Sequence, residues 1–215
     1  MYEKLISEVT KEKREQLKKT KEYFDEENDK YMLQRYLTDY RYRQLEKGEI
    51  TKEEATEIAW KKAVKENQKE LENKIKHIRQ VYEQEEIKEI TINVEWSKNR
   101  TWGMNPTAVA WTSYTGRTEG RASGWGYDKE STAVAEALNK NKNILKLLYD
   151  YKEKELEAGN EASSEKLLGY GSGYGVLPYF EGGVGINCHI KIFEKLGFKV
   201  KQAHGKFSDS YIIYK

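Results

Sequence analysis

The sequence predicts an α+β protein in two parts. Residues 1–88 form a long antiparallel helical hairpin, a coiled-coil-like arm. Residues 89–215 form a domain in the order βββ-α-α-ββ, an antiparallel sheet with its helices on one face. Three observations carry this reading. Residues 2–47 contain neither Gly nor Pro, and their apolar residues recur at helical spacing. At residue 90 the pattern changes to strict alternation. Four of the five tryptophans, and a glycine-rich loop at 169–185, fall after that point.

In the first part the apolar residues are Leu5, Val9, Leu17, Phe24, Tyr31, Leu33, Tyr36, Leu37, Tyr40 and Leu45. They describe one long helix with a kink or break in the acidic run 25–29, where nothing apolar holds it to a neighbour. Lys47-Gly48 reads as a helix end, with a cation in the last turn and a glycine after it. Thr51 and Glu54 stand three apart, the spacing at which two side chains satisfy each other's orphan amides at a new helix start. The second helix runs to about residue 88 on the stripe Ile58, Ala59, Ala63, Leu71, Ile75, Ile78 and Tyr82. A tight connection between two long helices makes them antiparallel.

In the second part Ile90, Ile92, Val94 and Trp96 alternate with Thr91, Asn93 and Glu95, a half-buried strand. Residues 107–114 read as a second strand, and a glycine-punctuated turn at 115–126 leads into a third. Asp128 or Ser131 caps a helix of about 25 residues with Val134, Ala137, Leu138, Leu145, Leu148 and Tyr151 inward, closed by Gly159-Asn160. A shorter helix over about 184–196 turns Ile186, Ile190, Phe193 and Leu196 to one side and stops at Gly197-Phe198. Two strands joined through His204-Gly205 finish the chain.

Charged residues make up 34 % and hydrophobic ones 37 % of the 215 residues, against a usual apolar share of about 45–50 %. A chain this polar cannot bury its whole length in one core. The net charge of +2 selects no partner, but its distribution does. Residues 1–90 hold 21 basic and 22 acidic groups, residues 91–215 hold 17 and 14, and Lys191, Lys195, Lys199, Lys201, Lys206 and Lys215 give the end a basic margin. The single Cys188 excludes an intrachain disulfide and a zinc site built on cysteines, and fits a reducing compartment. With no apolar run of signal-peptide or membrane-span length, the expected location is the cytoplasm.

No pattern of residues specifies a metal, a cofactor or a catalytic group. Three surfaces stand out. The first is the aromatic stretch 96–127, with Trp96 and Trp111 expected in the sheet core. Lys98, Arg100, Trp102, Arg117, Arg121 and Trp125 are expected to bind a protein or nucleic-acid partner, joined by Tyr170, Tyr174, Lys199 and Lys201. The second is Gly182, Gly183 and Gly185 before a helix start, where free amides could cradle a phosphate, although the Lys-Ser/Thr of a P-loop is missing. The third is Cys188-His189, read as a core thiol beside a surface imidazole. Glu136 and Glu181 are the two carboxylates of interest in this part.

EWSKNRTWGMNPTA, RASGWGYDKESTAVAEALN and GYGSGYGVLPYFEGGVGINCHIKIFEKLGFKV together resemble small accessory proteins of Gram-positive phages, plasmids and integrative elements. The resemblance covers about 91–215. It implies an anti-defence factor, an anti-CRISPR inhibitor binding a Cas9-type effector or its guide RNA in the bacterial host cytoplasm. FEKLGFKV is also similar to the helix-to-strand turn of GNAT acyltransferases, although no strand with the Gln/Arg-x-x-Gly-x-Gly/Ala pattern precedes the glycines. The alternatives are therefore direct RNA or DNA binding, a GNAT-like transferase, and a homodimer through the hairpin, where Tyr36, Tyr40 and Tyr42 stand beside Arg35, Arg41 and Arg43.

Overall fold

A computed structural model of the protein describes residues 2–25, 29–95, 107–112, 119–123, 129–160, 177–206 and 208–215. The chain divides into two compact units, Ile6–Ile78 and Met1–Leu5 with Arg79–Lys215.

The helical unit contains most of α1 (Glu3–Asp25), all of α2 (Asp29–Tyr36) and α3 (Asp39–Glu46), and most of α4 (Lys52–Tyr82). α1 and α4 run antiparallel. Lys74 Nζ meets Glu12 at 3.3 Å, the Asn67 amide donates to the Lys13 carbonyl at 3.2 Å, and the Trp60 ring stands edge-on to Phe24 at 5.9 Å. The Lys13 ammonium, almost fully buried, is neutralised by Glu70.

The helix expected over 2–47, with a kink or break at 25–29, ends as α1 at Asp25 and resumes as α2 at Asp29; it is also broken between Tyr36 and Asp39, and α4 ends at Tyr82 rather than near 88. Thr38 takes an extended backbone (φ −74°, ψ 153°), and its hydroxyl accepts from the Arg41 amide at 3.4 Å, starting α3 anew. Packing explains the break. Met32, Leu33 and Leu37 bury themselves with Phe24 against Ala55, Ala59 and Ala63 of α4. A straight helix would carry them past that stretch, about 1.5 Å further per residue. The turn into α4 follows the sequence closely. Gly48 sits at φ +71°, and the Glu49 and Gly48 amides donate to the Gln44 and Leu45 carbonyls. Thr51 N donates to Glu54 Oε2 at 2.9 Å, and Glu54 N to Thr51 Oγ1 at 3.2 Å.

The second unit is an antiparallel five-stranded sheet in the order β3-β2-β1-β5-β4. Its strands are β1 (Glu89–Glu95), β2 (Thr107–Thr112), β3 (Glu119–Ser123), β4 (Lys199–His204) and β5 (Ser208–Tyr214). The register pairs Ile90 with Thr112 and Ile213, Ile92 with Ala110 and Tyr211, and Val94 with Ala108. These residues are buried and share one face. On that face lie α5 (Lys129–Lys140), against β1 to β3, and α7 (Ile186–Lys195), against β4.

The expected 25-residue helix is broken into α5 and α6 (Lys142–Glu157) at Asn141. That side chain is fully buried. Its oxygen accepts from the amides of Asn143 (3.1 Å) and Ile144 (3.3 Å), and its nitrogen donates to the Ala110 carbonyl at 3.3 Å. One asparagine thus caps α6 and ties the break to β2. A second long-range cap holds the start of the chain. The buried Glu153 carboxylate on α6 accepts from the amides of Lys4 (3.1 Å) and Leu5 (2.9 Å), at the positive end of α1.

Candidate functional site

Of the sequence-predicted binding residues, Lys98, Arg100, Trp102, Arg117, Trp125, Tyr170 and Tyr174 lie outside the described residues, as do Trp96 and the side chains of Trp111 and Arg121. The positions that remain are the C-terminal lysines, the glycine turn, the Cys-His pair and the two carboxylates.

The lysines sit at a sheet edge. β4 ends the strand order, so one side of it has no hydrogen-bonded neighbour strand among the described elements. None of its six residues is buried. Lys199 and Lys201, two apart, project from the same side of the strand, opposite Tyr214 and Ile212 of β5. The Lys201 ammonium lies 5.1 Å from the Tyr214 ring centroid, a cation–π contact that holds the side chain along the strand. Ile212, opposite Lys201, is 36 % exposed. Lys191, Lys195 and Lys206 are exposed on α7 and in the β4–β5 turn. Lys215 is drawn to Glu86 at 2.5 Å and lies 5.7 Å from the Phe198 ring centroid. His204 and Asp209 pair at 2.8 Å on the opposite side of the strand pair.

This margin gathers Lys199 and Lys201 but not Arg121. Arg121 stands opposite Val109 in β3, at the other edge of the sheet. Four strand spacings of about 4.8 Å separate the two edges, roughly 19 Å.

The glycine turn is shaped by packing. A Cβ on Gly182 would meet Thr132 Oγ1 of α5 at 3.1 Å, so this residue lets the turn approach α5 closely. Gly183 takes φ +86°, a conformation that L side chains resist. Gly185 precedes α7 without a side-chain cap, and its surroundings are open. The approach to the turn is pinned by Asn139, which donates to the Phe180 carbonyl at 2.6 Å and accepts from its amide at 2.8 Å. Residues 177–181 are not a strand, so the turn lacks the strand–loop–helix setting of a nucleotide cradle.

Cys188 and His189 exchange their expected roles. The imidazole is fully buried, with Nε2 3.0 Å from the Glu181 carbonyl and its ring edge-on to Phe180 at 5.8 Å, while Cys188 is half-exposed. The inward face of α7 is His189, Ile192 and Phe193, rotated from the expected Ile186, Ile190, Phe193 and Leu196 stripe. The reason is the aromatic stack behind it. Phe193 lies against Phe180 at 5.6 Å and edge-on to Phe198 at 6.3 Å. Glu136 is an exposed member of an i,i+4 pair with Lys140, at 4.0 Å, and Glu181 contributes its backbone carbonyl to His189.

At the hairpin tip, Tyr36 and Tyr42 pack half-buried against the Phe24 cluster, whereas Tyr40 is 67 % exposed. Of the six residues named for a dimer contact, Tyr40 and the three arginines face solvent.

Among the described residues no group of three or more His, Cys, Asp or Glu side chains is placed to hold a metal ion, and no helix is long and apolar enough to cross a membrane. The fold defines a two-unit α+β protein with a basic sheet edge. Comparison with known proteins found no matching family model, no similar curated protein and no similar solved structure.

Proposed function

We propose that this protein is a binding protein of a mobile genetic element. In this reading it acts in the host cytoplasm as an anti-CRISPR inhibitor, docking its α+β unit on a Cas9-type effector at a surface that carries guide RNA. The exposed β4 margin supports the reading. Lys199 and Lys201 stand in line on a strand that is an edge among the described strands, beside an exposed isoleucine and a tyrosine. Aligned cations draw a phosphate-bearing partner, while the residues opposite them on β5, Ile212 and Tyr214, suit a protein surface. The resemblance of residues 91–215 to phage and plasmid accessory proteins points the same way.

The test is co-purification with a Cas9–guide complex, with target cleavage measured in parallel. Wild-type chain should bind and slow cleavage, and Lys199→Glu combined with Lys201→Glu should weaken binding by about tenfold or more, mostly through association rate. Absence of a complex, with cleavage unimpaired, would discard the reading. Direct RNA binding is the second reading, favoured by the same lysines. It requires binding to isolated guide RNA that falls steeply with salt as counterions are released.

A further inference from the structure

The hydrogen bonds of the last hairpin show which backbone groups β4 leaves open. In an antiparallel ladder, opposite residues alternate between pairs that exchange backbone hydrogen bonds and pairs that do not. Gly205 N donates to the Ser208 carbonyl at 2.6 Å, one step beyond the His204–Asp209 pair in the same register. The bonded pairs of β4 and β5 are therefore Ala203–Ser210, Lys201–Ile212 and Lys199–Tyr214. A second bond agrees. Lys215 N donates to the Lys88 carbonyl at 3.2 Å, so Asp209, Tyr211 and Ile213 bond to β1, which leaves Ser210, Ile212 and Tyr214 to β4. The N–H and C=O groups of Val200, Gln202 and His204 thus point to the far side of β4, where no described strand takes them up. They repeat at every second residue over about 13 Å.

Lysines ordinarily blunt such an edge. The other blunting devices are absent from β4: its register runs from Lys199 to His204 without a bulge, and no proline interrupts it. The charge of this margin has one sign. Lys199, Lys201 and Lys206 meet no carboxylate between 199 and 206, and Asp209 across the turn is engaged by His204 on the other face. Alternating donors and acceptors match an extended peptide backbone, whereas the carbonyls among them repel a phosphate chain. A second copy of β4 would bring its own lysines alongside these, and like charges on neighbouring strands oppose pairing.

We propose that β4 takes up an extended acidic segment of a partner protein as one more strand beside the five of the sheet. The segment's backbone bonds to Val200, Gln202 and His204. Two of its carboxylates, two residues apart, stand opposite Lys199 and Lys201 in the closer, non-bonded pairs. The residue between them lies opposite the half-buried Val200 and is apolar. The inference rests on the β4 margin being the docking surface, whichever protein docks there.

The experiment uses the full chain and a labelled synthetic peptide of about ten residues in which Glu alternates with Val. In the free chain the amides of Val200, Gln202 and His204 should exchange about tenfold or more faster than those of Lys199, Lys201 and Ala203. At low salt the peptide should bind with a Kd on the order of 100 μM and slow exchange at those three amides. Gln202→Pro removes one outward N–H and keeps the bonds to β5, since an edge strand tolerates proline on its open side. It should weaken binding about tenfold or more while the Lys201 and Ala203 amides stay slow. A peptide with Gln in place of Glu should bind about tenfold more weakly. Five results would overturn the proposal: slow exchange of the three amides in the free chain, no binding at low salt, full affinity in Gln202→Pro, equal binding of the Gln peptide, or displacement of the peptide by single-stranded RNA at lower concentration. Peptide binding without a Cas9–guide complex would discard the effector and keep the strand addition. A Cas9–guide complex that Gln202→Pro leaves at full strength would do the reverse.

Discussion

The two units are held together by different kinds of core. In the helical unit α4 contributes Ala55, Ala59 and Ala63 to the seam, one residue per turn, with Trp60 packed beside them, and the larger buried side chains come from α1, α2 and Leu37 just after it. In the α+β unit the core joins small buried residues, Ala108, Ala110, Ala133, Ala135 and Ala137, to large ones from distant parts of the chain: Phe180, Phe193, Phe198, Ile90, Ile92, Tyr211 and Ile213. Small residues let two helices approach closely, so the arm is specified by local helix signals and a narrow seam. The sheet unit adds to its own small residues bulky side chains that meet across long sequence separations. The first kind of core tolerates a charged exterior along its length. The second can present loops and an edge strand from a fixed platform, which is where a binding surface needs to be.

The largest effect that tests this contrast comes from Phe193→Ala. The ring is fully buried between Phe180 and Phe198, and its loss leaves a cavity in an aromatic stack. Truncation should cost about 3–5 kcal/mol in urea unfolding. The same change at Leu17, half-buried in the arm, should cost far less. Equal losses would show that the two cores are not different in kind.

A smaller effect separates the units by pH. Burial holds the Tyr82 and Tyr149 hydroxyls well above the usual tyrosine range and pushes Tyr211 up to about 12, with the nearby Glu130 carboxylate adding to it. All three belong to the α+β unit. Each folded-state value lies above the unfolded value of about 10. The stabilisation is therefore fully present below pH 10 and is lost as pH rises through the folded values, because the unfolded chain then releases protons that the folded one retains. Stability should hold to about pH 10 and fall by pH 12, with tyrosinate absorbance appearing in step with loss of sheet signal. Tyr211→Phe should move the alkaline transition to higher pH. Tyrosinate formation that runs to completion before any unfolding would contradict the assignment.

How much was legible in the sequence follows the same division. Local signals survived: the Thr51–Glu54 box, the glycine stops at 48, 159 and 197, and the alternation of β1 all match what the chain does. Non-local choices did not show. Nothing in the periodicity marks Thr38 or Asn141 as break points, because each break is made by a tertiary demand, Leu33 and Leu37 returning to α4 or Asn141 reaching Ala110. The Asn-rich run 139–143 was a faint clue, since asparagine prefers caps to helix interiors. His189 was misread because burial of an imidazole depends on a carbonyl eight residues away, Glu181, and on the stack against Phe180. For the site, exposure of Lys199 and Lys201 follows from β4 being an edge, which is a property of strand order and not of the strand's own residues.

The smallest effect is also the sharpest test of whether the arm is locally specified. Thr51→Ala removes the hydroxyl that accepts from Glu54 N and leaves in place the backbone amide of residue 51 that donates to the Glu54 carboxylate. Both groups are exposed, so water replaces part of what is lost, and the cost should be about 1 kcal/mol. Glu54→Ala should cost a similar amount, and the double variant little more than either, because the two bonds form one reciprocal cap. Amide exchange should quicken in the first turn of α4 and stay slow around Ala59 and Ala63, which the seam protects. If exchange quickened equally along the whole of α4, the arm would be held by its caps and not by its alanine seam, and the contrast between the two cores would rest on the sheet unit alone.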